Sequence, residues 1–176
     1  MTSHASAHGG PAVIVIGLPG AGKSTVGQLL AAALGVGFRD TDADVEAAAG
    51  ESISDIFLTH GEERFRALER AAVAAALAEH DGVLALGGGA ILDTDTQADL
   101  AGHRVVHLQV SLAAASPRVG LSAARPLLVG SPRKQWLELA EARRPIYTAL
   151  AQVTVDTDGK TPEQVVEQVL AALGER

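Results

Sequence analysis

The stretch that most constrains this chain is Gly17-Leu18-Pro19-Gly20-Ala21-Gly22-Lys23-Ser24, which fits the pattern G-x-x-x-x-G-K-[ST]. A short apolar, β-branched run, Ala12-Val13-Ile14-Val15-Ile16, precedes it, and Thr25 to Leu34 follows with helical composition. Strand, glycine loop and helix in this order are the context that such a pattern requires of a P-loop. Glycines let the backbone bend until several N–H groups converge on one anion, and the helix N-terminus adds positive partial charge at the same place. In such a loop Lys23 reaches the β- and γ-phosphates of ATP, and the Ser24 hydroxyl faces Mg2+. The run Gly20, Ala21, Gly22, Lys23, Ser24 and Thr25 is therefore the expected phosphate cradle.

The length of 176 residues suits one domain with its own core. Hydrophobic residues make up 47% but aromatics only 3%, so that core is built from Val, Leu, Ile and Ala. A net charge of −7 argues against a general nucleic-acid binder. It also makes a local arginine cluster more informative, because the cluster works against the overall field. Cysteine is absent, which excludes disulfides and thiolate metal sites. No apolar run approaches the roughly 18 residues that cross a bilayer, and Met1 to Pro11 carries neither a basic nor an apolar signal region. The expectation is a cytoplasmic monomer without nucleic-acid or membrane partners. Residues 1–11 read as a flexible tail and 12–176 as a single domain.

Beyond the glycine loop, strands and helices alternate. Gly35–Asp40 reads as a strand, Thr41–Ala49 as a helix, and Ser52-Ile53-Ser54-Asp55 as a capped start of another. Gly61 precedes a long helical pattern over Glu62–Glu79. Gly82–Leu86 and Arg104–Val110 are strands, with a brief helix from Thr94 between them. Leu112–Val119 is helical, and the Gly- and Pro-bearing stretch from about 120 to 132 is a mobile connection. Pro132–Leu150 is a helix, Val153–Asp156 a strand, and Thr161-Pro162-Glu163-Gln164 starts the last helix with Pro in its first turn. Short continuous apolar strands alternating with helices predict an α/β domain with a five-stranded parallel sheet covered on both faces.

A P-loop names a nucleotide, not a reaction; the acceptor has to be read from groups at the other strand ends. Asp40 and Asp42 stand at one such end, where one carboxylate can serve Mg2+ and another can take a proton from an attacking hydroxyl. The competing reading is that Thr41 or Asp42 only caps the following helix. Gly87-Gly88-Gly89 follows a buried strand, where three glycines suit close approach to an anionic acceptor or a plain turn. Arg66 can clamp a carboxylate with its planar fork, or simply pair with Glu62 one turn away. Arg125 before Pro126 fits a lid arginine that closes over transferring phosphate. Arg143 and Arg144 precede Pro145. His107 reads as a satisfied sheet residue, and Trp136 as packing for the helix beside the lid.

Taken together and in order, Gly17-x-x-Gly20-x-Gly22-Lys23-Ser24, Asp40-Thr41-Asp42, Phe65-Arg66, Gly87-Gly88-Gly89-Ala90, Arg125-Pro126-Leu127-Leu128 and Arg143-x-Pro145-x-Tyr147 resemble the shikimate kinase family from about residue 12 to 172. The resemblance implies a P-loop three-layer fold of the nucleoside-monophosphate-kinase type with a lid at about 118–132. It implies transfer of the ATP γ-phosphoryl group to the 3-hydroxyl of shikimate, on the route to aromatic amino acids. It makes Asp42 the base and a ligand of the shikimate hydroxyls, and gives Arg66 and Arg143 the shikimate carboxylate. Gly87, Gly88 and Gly89 line the pocket, Arg125 bridges the phosphates and the acceptor, and Ser24 with Asp40 serves Mg2+. Arg118 lies against the adenine and Lys160 flanks it from the far side. Two other readings remain: a gluconate or nucleoside-monophosphate kinase, separated by a substrate panel, and a nucleotide-binding switch, whose turnover shikimate would not alter.

Overall fold

The computed structural model describes residues 9–119 and 132–175, without the side chains of Arg118 and Val119. Five strands, β1 (Val13–Ile16), β2 (Phe38–Asp40), β3 (Val83–Ala85), β4 (Val105–Gln109) and β5 (Val153–Asp156), form one sheet. All pair in parallel, in the order β2-β3-β1-β4-β5. The expected parallel architecture is thus observed. The central strands β1 and β3 and the first four residues of β4 are buried throughout, which is why they read as unbroken apolar runs rather than as alternation. β2, on the edge, is only half-buried.

The connecting helices are α1 (Lys23–Leu34), α2 (Thr41–Ala49), α3 (Ile53–Glu79), α4 (Thr94–Leu100), α5 (Leu112–Val119), α6 (Pro132–Leu150) and α7 (Pro162–Ala172). α1 packs on β1, β2 and β3 and against α7; α6 packs on β4, α5 and a 3₁₀ turn at Ala90–Leu92. That turn was not expected from the sequence. The two helices expected on either side of Gly61 form one helical run that breaks at this residue, at φ 84° and ψ 173°. The predicted start of the last helix is met in full. Thr161 and Gln164 form a reciprocal capping box, with Pro162 in the first turn.

A second, smaller apolar cluster of Val45, Ile56 and Phe65 joins α2 to α3. Phe57 and Phe65 pack with ring centroids 4.6 Å apart. This unit stands beside the main core and carries Asp42 and Arg66. The strand order then decides where chemistry can occur. β3 lies between β1 and β2, so the C-terminal ends of these three strands stand side by side. From them emerge the P-loop, the triple glycine and the Asp40–Asp42 segment. Ligands of open α/β sheets bind along this edge.

Candidate active site

The P-loop is a local consequence of backbone freedom. Gly20 and Gly22 hold φ of 87° and 85°, a region that other residues rarely adopt. Gly22 caps α1 without any side-chain hydrogen bond, and no acid occupies the first turn. The orphan N–H groups of that turn therefore face the cleft, as an anion requires. Lys23 Nζ donates to the Gly17 and Leu18 carbonyls at 2.8 and 3.2 Å, which folds its side chain back over its own loop. Burial pushes its pKa down to about 8, against the attraction of Asp42 and Asp40.

Asp40 ends β2 and holds two partners. Its Oδ1 accepts from the Asp42 backbone N–H at 2.9 Å, capping α2. Its Oδ2 accepts from the Ser24 hydroxyl at 2.8 Å. The helix cap is thus Asp40 and not Thr41 or Asp42. Thr41 is fully buried, and its hydroxyl accepts from the Gly87 N–H at 3.2 Å. Asp42 is left with its carboxylate toward the glycines. Burial, with the nearby negative charge of Asp40, raises its pKa to about 6, and Lys23 opposes the rise. A cleft of about 360 Å³ joins Gly20, Gly22, Lys23, Ser24 and Thr25 to Asp40 and Asp42.

The three glycines are explained by what stands over them. A Cβ at Gly87 would lie 2.5 Å from Asp42 Oδ1 and 3.0 Å from Glu69 Oε2. One at Gly88 would lie 3.3 Å from Arg143 Nη1 and 3.2 Å from Pro19 Cδ. One at Gly89 would overlap the Arg66 guanidinium. The segment is a turn, closed by the Ala90 N–H on the Gly87 carbonyl at 3.1 Å, and its glycines also make room for these polar side chains. Arg66 pairs with Glu62 at 3.6 Å, as its helical spacing predicts, but also donates to Glu69 at 2.8 Å. It lies over the Phe65 ring, 5.2 Å from the centroid. Arg143 is buried while Arg144 is exposed, which puts Arg143 on the site side.

A second cleft of about 310 Å³ continues past Gly22 and Thr25 between α1 and the segment after β5, with Thr157, Lys160, Pro162 and Val165 in its wall. Lys160 lines it, with its ammonium donating to the Asp156 carbonyl at 2.6 Å. Arg118 lies in the last turn of α5, and its side chain is outside the described residues, as are Arg125 and the lid stretch 120–131. Trp136 is buried as expected and also donates to the Pro19 carbonyl at 3.3 Å. His107 corrects its sequence reading: it is buried in the sheet, but its Nδ1 has no hydrogen-bond partner among the described residues. Glu69 was missed, and Thr41 and Tyr147 stood in motifs without their contacts to Gly87 and Gly88. The one signal for Glu69 was an acid on the apolar stripe of α3, three residues after Arg66.

The arrangement joins a polyanion cradle to a small pocket with a carboxylate base candidate and two guanidinium groups. Comparison with known proteins gives the family. The shikimate kinase family model matches residues 19–174. A shikimate kinase of Streptomyces avermitilis is 59% identical over 93% of this chain and 95% of its own. One of Frankia casuarinae is 59% identical over 92% of this chain and 72% of its own. Among solved structures, the shikimate kinase from Acinetobacter baumannii in complex with shikimate superposes with a TM-score of 0.87 at 31% identity, covering 93% of this chain and 92% of that one. A match of this extent, spanning nearly the whole described chain, makes the chain a kinase of the shikimate kinase family.

Proposed function

We propose that this chain transfers the γ-phosphoryl group of ATP to the 3-hydroxyl of shikimate, giving shikimate 3-phosphate and ADP for aromatic amino acid synthesis. The observation that carries the reading is the meeting of Asp42, Arg66 and Arg143 over Gly87–Gly89, at the edge of the phosphate cleft. The acceptor carboxylate lies between Arg66 and Arg143, and Asp42 takes the proton of the attacking hydroxyl. A carboxylate with a pKa near 6 is ionised at neutral pH and still basic enough to act. Gly20 to Thr25 bind the phosphates, and Lys23 swings from its own carbonyls onto them. The cleft past Thr25 takes the base, with Lys160 and Arg118 on either side, and Arg125 closes over the phosphates from a lid at about 118–132.

Ser24 and Asp40 fit Mg2+. Their oxygens stand 2.8 Å apart, and adjacent ligands of an octahedral Mg2+ stand about 2.9 Å apart, from bond lengths of about 2.0–2.1 Å. When bound, the ion neutralises charge developing on the β- and γ-phosphate oxygens. The protein contributes mainly position and fixed charge, as phosphoryl transfer requires.

Among the described residues no helix is long and apolar enough to cross a membrane. A cytoplasmic monomer whose domain spans 12–176 after a short tail, without nucleic-acid or membrane partners, completes the proposal. The test is ADP release from MgATP with and without shikimate, with quinate and gluconate as competing acceptors. Release that shikimate does not accelerate overturns the acceptor; acceleration by shikimate alone supports it.

A further inference from the structure

Helix α6 presents three buried polar side chains on one face: Trp136, Arg143 and Tyr147. Trp136 holds the Pro19 carbonyl of the P-loop. Tyr147 donates its hydroxyl to the carbonyl of Gly88, the middle glycine of the acceptor pocket. Arg143 lies one turn earlier, with Nη1 close over the same glycine. Behind Tyr147 the His107 ring stacks on the phenol, with centroids 4.9 Å apart and planes 24° apart. His107 stands in β4 in register with Ile16, the last strand residue before the P-loop. Burial keeps its imidazole neutral, with a pKa near 4, so the stack sets no charge beside Arg143. The Arg143 Nε is buried with no hydrogen-bond partner among the described residues. The rest of its guanidinium faces the Tyr147 hydroxyl, whose ionisation it favours against burial.

We infer that Tyr147 is a positioning residue of the acceptor side: its hydroxyl fixes the Gly88 carbonyl, its ring is fixed by His107, and Arg143 is aimed between them. The role rests on the acceptor reading above, but its geometry does not depend on which acid binds. Tyr147→Phe keeps the ring and removes one oxygen. Loss of one buried hydrogen bond raises the acceptor KM about tenfold, while the KM for ATP stays within about twofold and the melting temperature within a few degrees. In an Arg143→Ala background the same change has little further effect on the acceptor KM, because the two side chains act as a unit. His107→Phe retains the stack and a near-normal acceptor KM, whereas His107→Ala does not.

An acceptor KM for Tyr147→Phe within about twofold of the parent, or acceptor and ATP KM values rising in parallel, overturns the inference. If the parent protein proves inactive on shikimate, the acceptor assignment fails separately. A crystal structure of Tyr147→Phe then decides: displacement of Gly88 and Arg143 supports the inference, and unmoved positions overturn it.

Discussion

Arg66 donates to the buried carboxylate of Glu69 at 2.8 Å, one turn along the same helix. Arg66 keeps 30% of its side chain exposed, whereas Glu69 keeps 5%. The buried partner therefore aims the exposed one. Burial raises the pKa of Glu69, and Arg66 and Arg143 oppose that rise. Glu69→Gln still offers an oxygen to Arg66, so the fold should hold. With the charge gone, Arg66 is less firmly aimed, and the acceptor KM should rise about fivefold to tenfold, equivalent to about 1 kcal/mol. Glu69→Ala should lower stability by about 2 kcal/mol, since it leaves a void and takes the buried one of its two partners from the Arg66 guanidinium. Steady-state kinetics and thermal melts separate the two.

Asp42→Asn should abolish transfer by about two to four orders of magnitude while sparing ATP affinity. It should also stabilise the ligand-free protein. The folded pKa of Asp42, about 6, lies above the 3.8 of a free aspartate side chain. Its contribution is fully present below about pH 4 and is lost as pH rises through about 6. At pH 7.5 the native protein holds this carboxylate ionised beside Asp40, and the amide relieves that by about 1 kcal/mol. Melts at pH 7.5 and pH 3.5 check the sign, with the gain expected only at the higher pH.

The free enzyme needs Asp42 ionised and Lys23 protonated. With pKa values near 6 and 8, kcat/KM for ATP should be bell-shaped between those limits. The two groups attract each other, so the limbs belong to the pair. With ATP saturating, phosphate charge holds the Lys23 proton, and the alkaline limb of kcat should move upward. An alkaline limb that saturating ATP leaves in place would remove Lys23 from the profile.

Gly87→Ala and Gly89→Ala place a methyl group against Asp42 and Arg66 respectively. Both should impair use of the acceptor by tenfold or more, in line with what about 1 Å of misplacement costs, and leave nucleotide binding within about twofold. Calorimetric titration with ADP and acceptor kinetics read the two halves separately.

Gly27 in α1 lies under the Phe38 ring, and an added Cβ would stand 2.5 Å from Phe38 Cε2. Gly27→Ala gains helix propensity of about 1 kcal/mol but overpacks this contact at a cost of about 1–3 kcal/mol. The net expectation is a lower melting temperature with unchanged KM values. It serves as a purely structural control for the glycine substitutions above.

The P-loop was legible in the sequence because its chemistry is carried by backbone geometry within a few residues. The parallel sheet was legible because buried central strands leave apolar runs of characteristic length. Partner choice was not. Arg66 pairs with Glu62 as expected, but that it also takes Glu69 depends on which face of α3 meets the glycines, and both acids stand at helical spacing. The boundary between β2 and α2 falls where it was expected, but which side chain caps α2 was not legible, because Asp40, Thr41 and Asp42 can each accept from a first-turn N–H. Tyr147 was quoted as part of a motif, but its contact with Gly88 spans 59 positions along the chain.

Asp40 spends one oxygen on Ser24 and the other on the first turn of the helix that bears Asp42. Any exchange at this position alters the ion end of the cleft and the aim of the base in a single step. Laboratory evolution toward a different acceptor therefore has little room on this side. The Arg66–Glu69 pair hangs from a separate apolar cluster and can drift without disturbing the ion end, so variants with new acceptors should first accumulate there.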